Sequence, residues 1–282
     1  MSATYAYCLV HVDSRPRARR GAASRRGARR PRARDVASAA LTRGAPPGLA
    51  GAAPPRALDA GNGLWLIVAD APLAVYGAEP IDEKLGDLDW VSRCAVAHES
   101  VVEHFTRAGT VVPMKLFTLF ASDERAHARI AAMRASVDRT IARVAARAEW
   151  GVRISVDEAE AARRAASTAR ARARGLSDGT GFLVRKQSAR DAVRRLLADA
   201  RDEVEAVFEA LAGLADDARR RTPVQAEGTT RLLLDAAFLV PHARRTRFRA
   251  AAERAAARLG REGYVLTLTG PWPPYNFVGE GP

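Results

Sequence analysis

His98-Glu99-Ser100-Val101-Val102-Glu103-His104 is the run with the most side chains able to hold a metal or move a proton, and its spacing argues against a zinc site. A helical zinc pair needs histidines four apart, on one face. Here they are six apart, about 240° around a helix at about 100° per residue, so they cannot chelate one ion together. His98 falls on an apolar stripe and reads as a hydrogen-bonded histidine at a core edge, while His104 reads as solvated. Phosphate binding would rest on Gly175-Leu176-Ser177-Asp178-Gly179-Thr180-Gly181, where glycines would let an anion approach the backbone. No Gly-Lys-Ser/Thr ending and no buried strand accompany it, so it reads as an interhelical turn. Gly175 to Gly179 also has Gly-x-Ser-x-Gly spacing, but without a buried strand before it the run makes no nucleophile elbow, and Asp157, Glu158 and Glu160 lie on a stretch that has little with which to pack. Cys8 and Cys94 make neither a disulfide framework nor a Cys-x-x-Cys pair. The expectation is a protein without catalytic residues, cofactor or metal.

The formal charge of +13 resembles a nucleic-acid footprint until it is located. Residues 15–34 hold ten arginines and no acid, and 13 − 10 leaves +3 for the rest of the chain. That segment could attract polyanions by counterion release, although no aromatic residues are interleaved for base stacking. A nucleic-acid-binding protein acting through residues 15–34 is the alternative function; otherwise the segment is a solvated, self-repelling linker that meets nucleic acid only non-specifically.

Two further features point to contact with a partner. Lys115 interrupts the otherwise apolar run Val111 to Phe120, where it either snorkels to the rim or meets a carboxylate. Pro113 cannot donate to a strand ladder, which favours the start of a strand or a sheet edge. At the end of the chain, Pro273-Pro274 hold the backbone near polyproline II while Trp272, Tyr275 and Phe277 project from it. Such a display can dock on the protein's own sheet or on a hydrophobic partner.

The elements that position these residues follow from periodicity. Residues 3–12 alternate as a strand, with Ala6, Cys8, Val10 and Val12 on one face and Tyr5, Tyr7 and Leu9 on the other. Residues 13–63, rich in Arg, Ala, Gly and Pro, read as a disordered insertion. Residues 64–69 form a buried strand, and a helix from Asp87 carries Leu88, Val91, Ala95, His98, Val102 and Phe105 inward until Gly109. Residues 110–120 are one strand, Ser122 caps a helix running to about 148, and 152–156 close the sheet. A helical connector and turn fill 157–181, and a long helix spans about 185–218. A strand (231–240), a helix (243–259) and a strand (264–269) complete a second unit. The expected domains are 1–156 and 182–270, with 271–282 as an aromatic and proline tail. The fold class is α+β, each domain a small, mostly antiparallel sheet with helices packed on it. No apolar run reaches the roughly 18 residues of a membrane helix, and the apolar start precedes the arginines, the reverse of a signal peptide. A cytoplasmic location is expected.

Taken together, the chain resembles the GvpF/GvpL family of gas vesicle proteins. The resemblance rests chiefly on Tyr264-Val265-Leu266-Thr267-Leu268-Thr269-Gly270-Pro271-Trp272-Pro273-Pro274-Tyr275-Asn276-Phe277-Val278, which matches the family's C-terminal signature. Val112-Pro113-Met114-Lys115 with Thr118-Leu119-Phe120 is similar to its central strand, with Leu116-Phe117 standing where the family has Phe-Gly. Ala97-His98-Glu99, Glu149-Trp150-Gly151-Val152 and Ala237-Phe238-Leu239-Val240 occur in the family's order. The resemblance implies ferredoxin-like α+β topology and a non-enzymatic, accessory role in gas vesicle formation. It also implies the major hydrophobic shell protein and other accessory proteins as partners. The residues expected to meet a partner are Lys115, Trp272, Pro273, Pro274, Tyr275 and Phe277.

Overall fold

A computed structural model describes residues 1–12, 33–157, 200–222 and 230–279, with a few single positions between 158 and 199. Most of the arginine segment, the connector with its glycine turn, and the first part of the long helix lie outside the described residues. Two compact units emerge: Met1–Ala146 with Pro273–Pro282, and Arg147–Trp272.

In the first unit, β1 (Ser2–His11) lies between β3 (Leu64–Pro72) and β4 (Thr110–Pro113), and β2 (Arg56–Asp59) extends the sheet beyond β3. All these pairings are antiparallel. Helix α1 (Ala33–Leu41) links β1 to β2. The short α2 (Leu73–Tyr76) and α3 (Ala78–Lys84) lead into α4 (Leu88–Phe105), which links β3 to β4. The order β-α-β-β-α-β with the sheet read β2-β3-β1-β4 is the ferredoxin-like arrangement.

Residues 3–10 are buried on both faces of the sheet. Their expected alternation fails at Tyr7, because the register against β3 slips between Ala6 and Cys8. The extra residue of this bulge brings Tyr5, Tyr7, Cys8 and Val10 into one core. On α4, Asp87 caps the first turn through the Trp90 amide. Cys94, His98, Val101, Val102 and Phe105 point inward, while Leu88 is 78% exposed. Only the C-terminal half of the expected stripe survives: near the start of the helix, Trp90 rather than Leu88 faces the protein, stacking on Tyr76.

Residues 33–63 correct the expected 51-residue insertion, since they contain α1 and β2. Their composition is poor in apolar residues, but the partners come from elsewhere. The Tyr7 hydroxyl accepts from the Leu49 amide at 3.1 Å, the Tyr76 hydroxyl donates to the Ala50 carbonyl at 2.8 Å, and Leu49 itself is buried. Gly48 adopts φ +77° against Tyr7, where a side chain would collide with the phenol.

The expected strand 110–120 is two pieces, β4 and β5 (Leu119–Phe120), both paired with β1. The expected helix from Ser122 to about 148 is also two: α5 (Asp123–Ala132), capped by Ser122, and α6 (Arg134–Val144). The break falls at Met133, whose amide is shared between the Arg129 and Ile130 carbonyls and so tightens the last turn.

The second unit begins at β6 (Arg147–Asp157), the strand expected to close the first sheet. Instead it pairs antiparallel with β8 (Thr230–Pro241) and β9 (Tyr264–Trp272), at the centre of the second sheet. Helix α7 covers 200–212 and stops at a turn over Gly213 and Leu214. The Asp216 amide then bonds to the Leu239 carbonyl and starts β7 (Asp217–Arg220), a strand that the long-helix expectation missed. Helix α8 (Arg245–Glu262) ends on Gly263 at φ +98°, a conformation glycine adopts without penalty. The sheet reads β7-β8-β6-β9, the same arrangement as the first. Trp150, Val152, Ile154 and Val156 of β6 pack with Val204, Val207 and Leu211 of α7 and Phe248, Ala252 and Leu259 of α8.

Candidate functional site

Each sheet closes with a strand that carries one of the two sequence features expected to meet a partner. In the first unit, β4 ends at Pro113 and the chain bulges away from β1 through residues 115–117, between the Met114 amide donating to the Tyr7 carbonyl and the Ala6 amide donating to the Thr118 carbonyl. Lys115 stands exposed in this bulge, its carbonyl accepting from the Thr118 amide at 3.2 Å and hydroxyl at 2.7 Å. Among the described residues it pairs with no carboxylate, so of the two expected roles the exposed one holds. Phe117 takes φ +64°, the backbone that the family's glycine would supply without strain. Its amide donates to the Tyr5 hydroxyl at 3.3 Å, and its ring stacks on Trp90 at 5.3 Å. The aromatic contact offsets the unfavourable dihedral.

In the second unit, β9 pairs with β6 in register from Tyr264 to Thr269, bulges at Gly270-Pro271 and ends at Trp272. Gly270 sits at φ +112°, where an added Cβ would lie 2.8 Å from the Glu149 carbonyl oxygen, so only glycine lets β9 keep its place beside β6. Trp272 is 44% exposed at the end of the strand. Beyond it the chain rejoins the first unit. Pro273 and Pro274 are buried, Tyr275 is half-buried and Phe277 is fully buried. A 3-10 turn, Tyr275–Phe277, is held by the Arg143 guanidinium donating to the Phe277 carbonyl.

Four of the six residues expected to meet a partner are therefore wholly or partly sealed inside the protein, and Trp272 and Lys115 stay accessible. The tail's docking site is the first unit's core, against which Tyr275 packs. Burial raises the Tyr275 phenol pKa, and the neighbouring Glu99 carboxylate adds to the rise.

His98 lies inside the same core. Its Nδ1 sits 2.6 Å from the Tyr5 hydroxyl, and the rings of Tyr5 and Tyr7 flank it at 5.7 and 5.4 Å. Burial lowers its pKa to about 4, against an opposite pull from the Met114 backbone. A neutral, enclosed imidazole has a packing role rather than a proton-transfer role at neutral pH. Burial likewise pushes the Cys8 and Cys94 thiols up, away from the reactive thiolate. Among the described residues, no three His, Cys, Asp or Glu side chains come together as metal ligands, and no helix is long and apolar enough to cross a membrane.

Fold and site define a protein of two ferredoxin-like units in which a C-terminal aromatic motif ends the second sheet and completes the first core. The chain belongs to the family described as gas vesicle synthesis protein GvpL/GvpF, which it matches over residues 3–279. It is 28% identical over 240 residues to gas vesicle protein L of Streptomyces sp. (strain CB03234), covering 81% of this chain and 85% of that protein. Among solved structures it is similar to gas vesicle protein GvpF from Anabaena sp. PCC7120, with a TM-score of 0.64, 18% identity, and coverage of 100% of this chain and 98% of that one. GvpF from Microcystis aeruginosa gives 0.60, 14% identity and 98% coverage of both chains. At these identities the structural likeness speaks for the fold.

Proposed function

We propose that this protein is a cytoplasmic, non-enzymatic accessory factor of gas vesicle assembly. It binds the small hydrophobic shell protein, helps to nucleate or extend the gas-filled shell, and stays with the vesicle as a minor component alongside other accessory proteins. The observation that carries this reading is Trp272. In a C-terminal motif whose other two aromatics are enclosed to different degrees, it remains 44% exposed at the end of a strand. Large aromatics held in one orientation dominate protein–protein contacts, because little side-chain freedom is lost on binding. The family description, gas vesicle synthesis, supports the same direction.

Co-purification tests it. The full chain, expressed with the major shell protein, is expected to retain that protein on an affinity column and to be found in the floating vesicle fraction. Trp272→Ala should weaken retention without changing the unfolding temperature. A full chain that captures no shell protein and never floats contradicts the proposal.

A further inference from the structure

The two sheets have four edges, and three of them are built against strand pairing. Edge β2 is four residues long and bears Arg56 and Asp59, and α1 packs beside it, with the Ser38 hydroxyl donating to the Ala57 carbonyl at 3.0 Å. Edge β7 is also four residues, and three of them, Asp217, Arg219 and Arg220, are charged. The β4–β5 edge ends its first piece on Pro113 and is then interrupted by a bulge carrying Lys115. Short length, charge, proline and bulges are the devices by which proteins keep exposed edges from recruiting other strands.

Edge β9 has a proline and a bulge only at its end, at Gly270-Pro271, and its first six residues, Tyr264 to Thr269, carry neither these nor any charge. Its nine residues include no charged side chain, and among the described residues it pairs with β6 alone. Val265, Thr267 and Thr269 stand exposed on one face; Leu266 and Leu268, packed against the second core on the other, are only half-buried. The apolar layer thus stops one strand short of closure. We propose that β9 is a strand-docking edge, and that its occupant is an extended, uncharged segment of the shell protein with apolar residues at alternate positions. Such a strand would pair with the open edge of β9 and finish the burial of Leu266 and Leu268, with Trp272 marking one end. The lack of charge along the edge favours an apolar occupant, and the two half-buried leucines supply the side-chain register. This inference rests on the proposed shell-binding role and names the surface and mode that would serve it.

The test compares the full chain with a Val265→Lys/Thr269→Lys variant. Both positions are exposed, and neither pairs across from Arg153, so the fold should be kept; circular dichroism and the unfolding temperature verify this. Purified shell protein is the probe. The proposal expects at least tenfold weaker capture by the variant, while a Leu88→Lys control on the exposed start of α4 captures normally. It also expects slowed amide exchange within 264–272 when the shell protein is bound to the wild-type chain. Undiminished capture by the folded variant overturns the docking edge and leaves the shell-binding role standing. Absence of capture by the wild-type chain overturns both. If the variant changes only self-association, the occupant is a second copy of this chain and the proposal is wrong.

Discussion

The first unit breaks its closing strand in the middle, while the second keeps its own in register over Tyr264–Thr269 and bulges only near the end. Both sheets follow one strand order, β2-β3-β1-β4 and β7-β8-β6-β9, so the closing strands β4–β5 and β9 occupy equivalent places. Around β4–β5 the chain spends a proline, a lysine and a bulge, and α5 and α6 follow to cover the strands. Around β9 a proline and a bulge come only at the end, at Gly270-Pro271, and no charged side chain stands on the strand. The cores differ in the same sense. The first holds Tyr5, Tyr7, Cys8, Tyr76, Cys94 and His98; the second hydrophobic cluster is built from aliphatic and aromatic residues without histidine or cysteine. The second unit instead buries two carboxylates, Glu149 and Asp235.

The comparison breaks most severely if the tail is not part of the first core. Phe277 is fully buried there, so Phe277→Ala should cost about 3–4 kcal/mol. Hydrogen exchange should show the loss in β1 and α4 and leave β6 and β8 protected. An equal loss in both units would mean that the tail does not belong to the first alone.

Acid should separate the two cores next. His98 has a folded pKa of about 4, below the usual value of about 6.5. Between these values the unfolded chain takes up a proton that the folded chain refuses, so stability falls as pH drops from about 6.5 to about 4, by up to about 3 kcal/mol. Denaturant titrations across that window should show the fall in the wild-type chain and a flatter profile in His98→Gln, with the transition of the first unit affected before that of the second.

Gly270→Ala probes the second closing strand. The methyl group would meet the Glu149 carbonyl from a backbone at φ +112°. A cost of about 2 kcal/mol is expected, read as a lower unfolding temperature and faster exchange along β9.

The smallest effect sharpens the contrast between the edges. Lys115→Ile changes an exposed position, so stability should move by no more than about 0.5 kcal/mol. Self-association, followed by light scattering, should nevertheless increase, because a guard against strand pairing has been removed.

Much of this fold was legible from periodicity. The strands at 2–11, 64–72, 230–241 and 264–272 and the helices from 88 and from 245 carry their apolar patterns openly. What escaped depends on distant partners. Strand β2 and the segment around Leu49 are ordered by Tyr7 and Tyr76, which lie elsewhere in the chain. Strand β7, with three charges in four residues, has no apolar signature and exists because β8 pairs with it. Strand β6 was legible as a strand, but chain order alone assigned it to the wrong sheet. The tail was legible as a rigid aromatic display; that Phe277 would be enclosed and Trp272 exposed depends on the chain returning to the first unit after β9.

Amide exchange of the full chain with and without bound shell protein would show which closing strand takes the shell protein, because it reads both at once. New protection is expected within 264–272 and none within 110–120. Protection gained at 110–120, or at neither strand while the shell protein is bound, would contradict strand docking on β9.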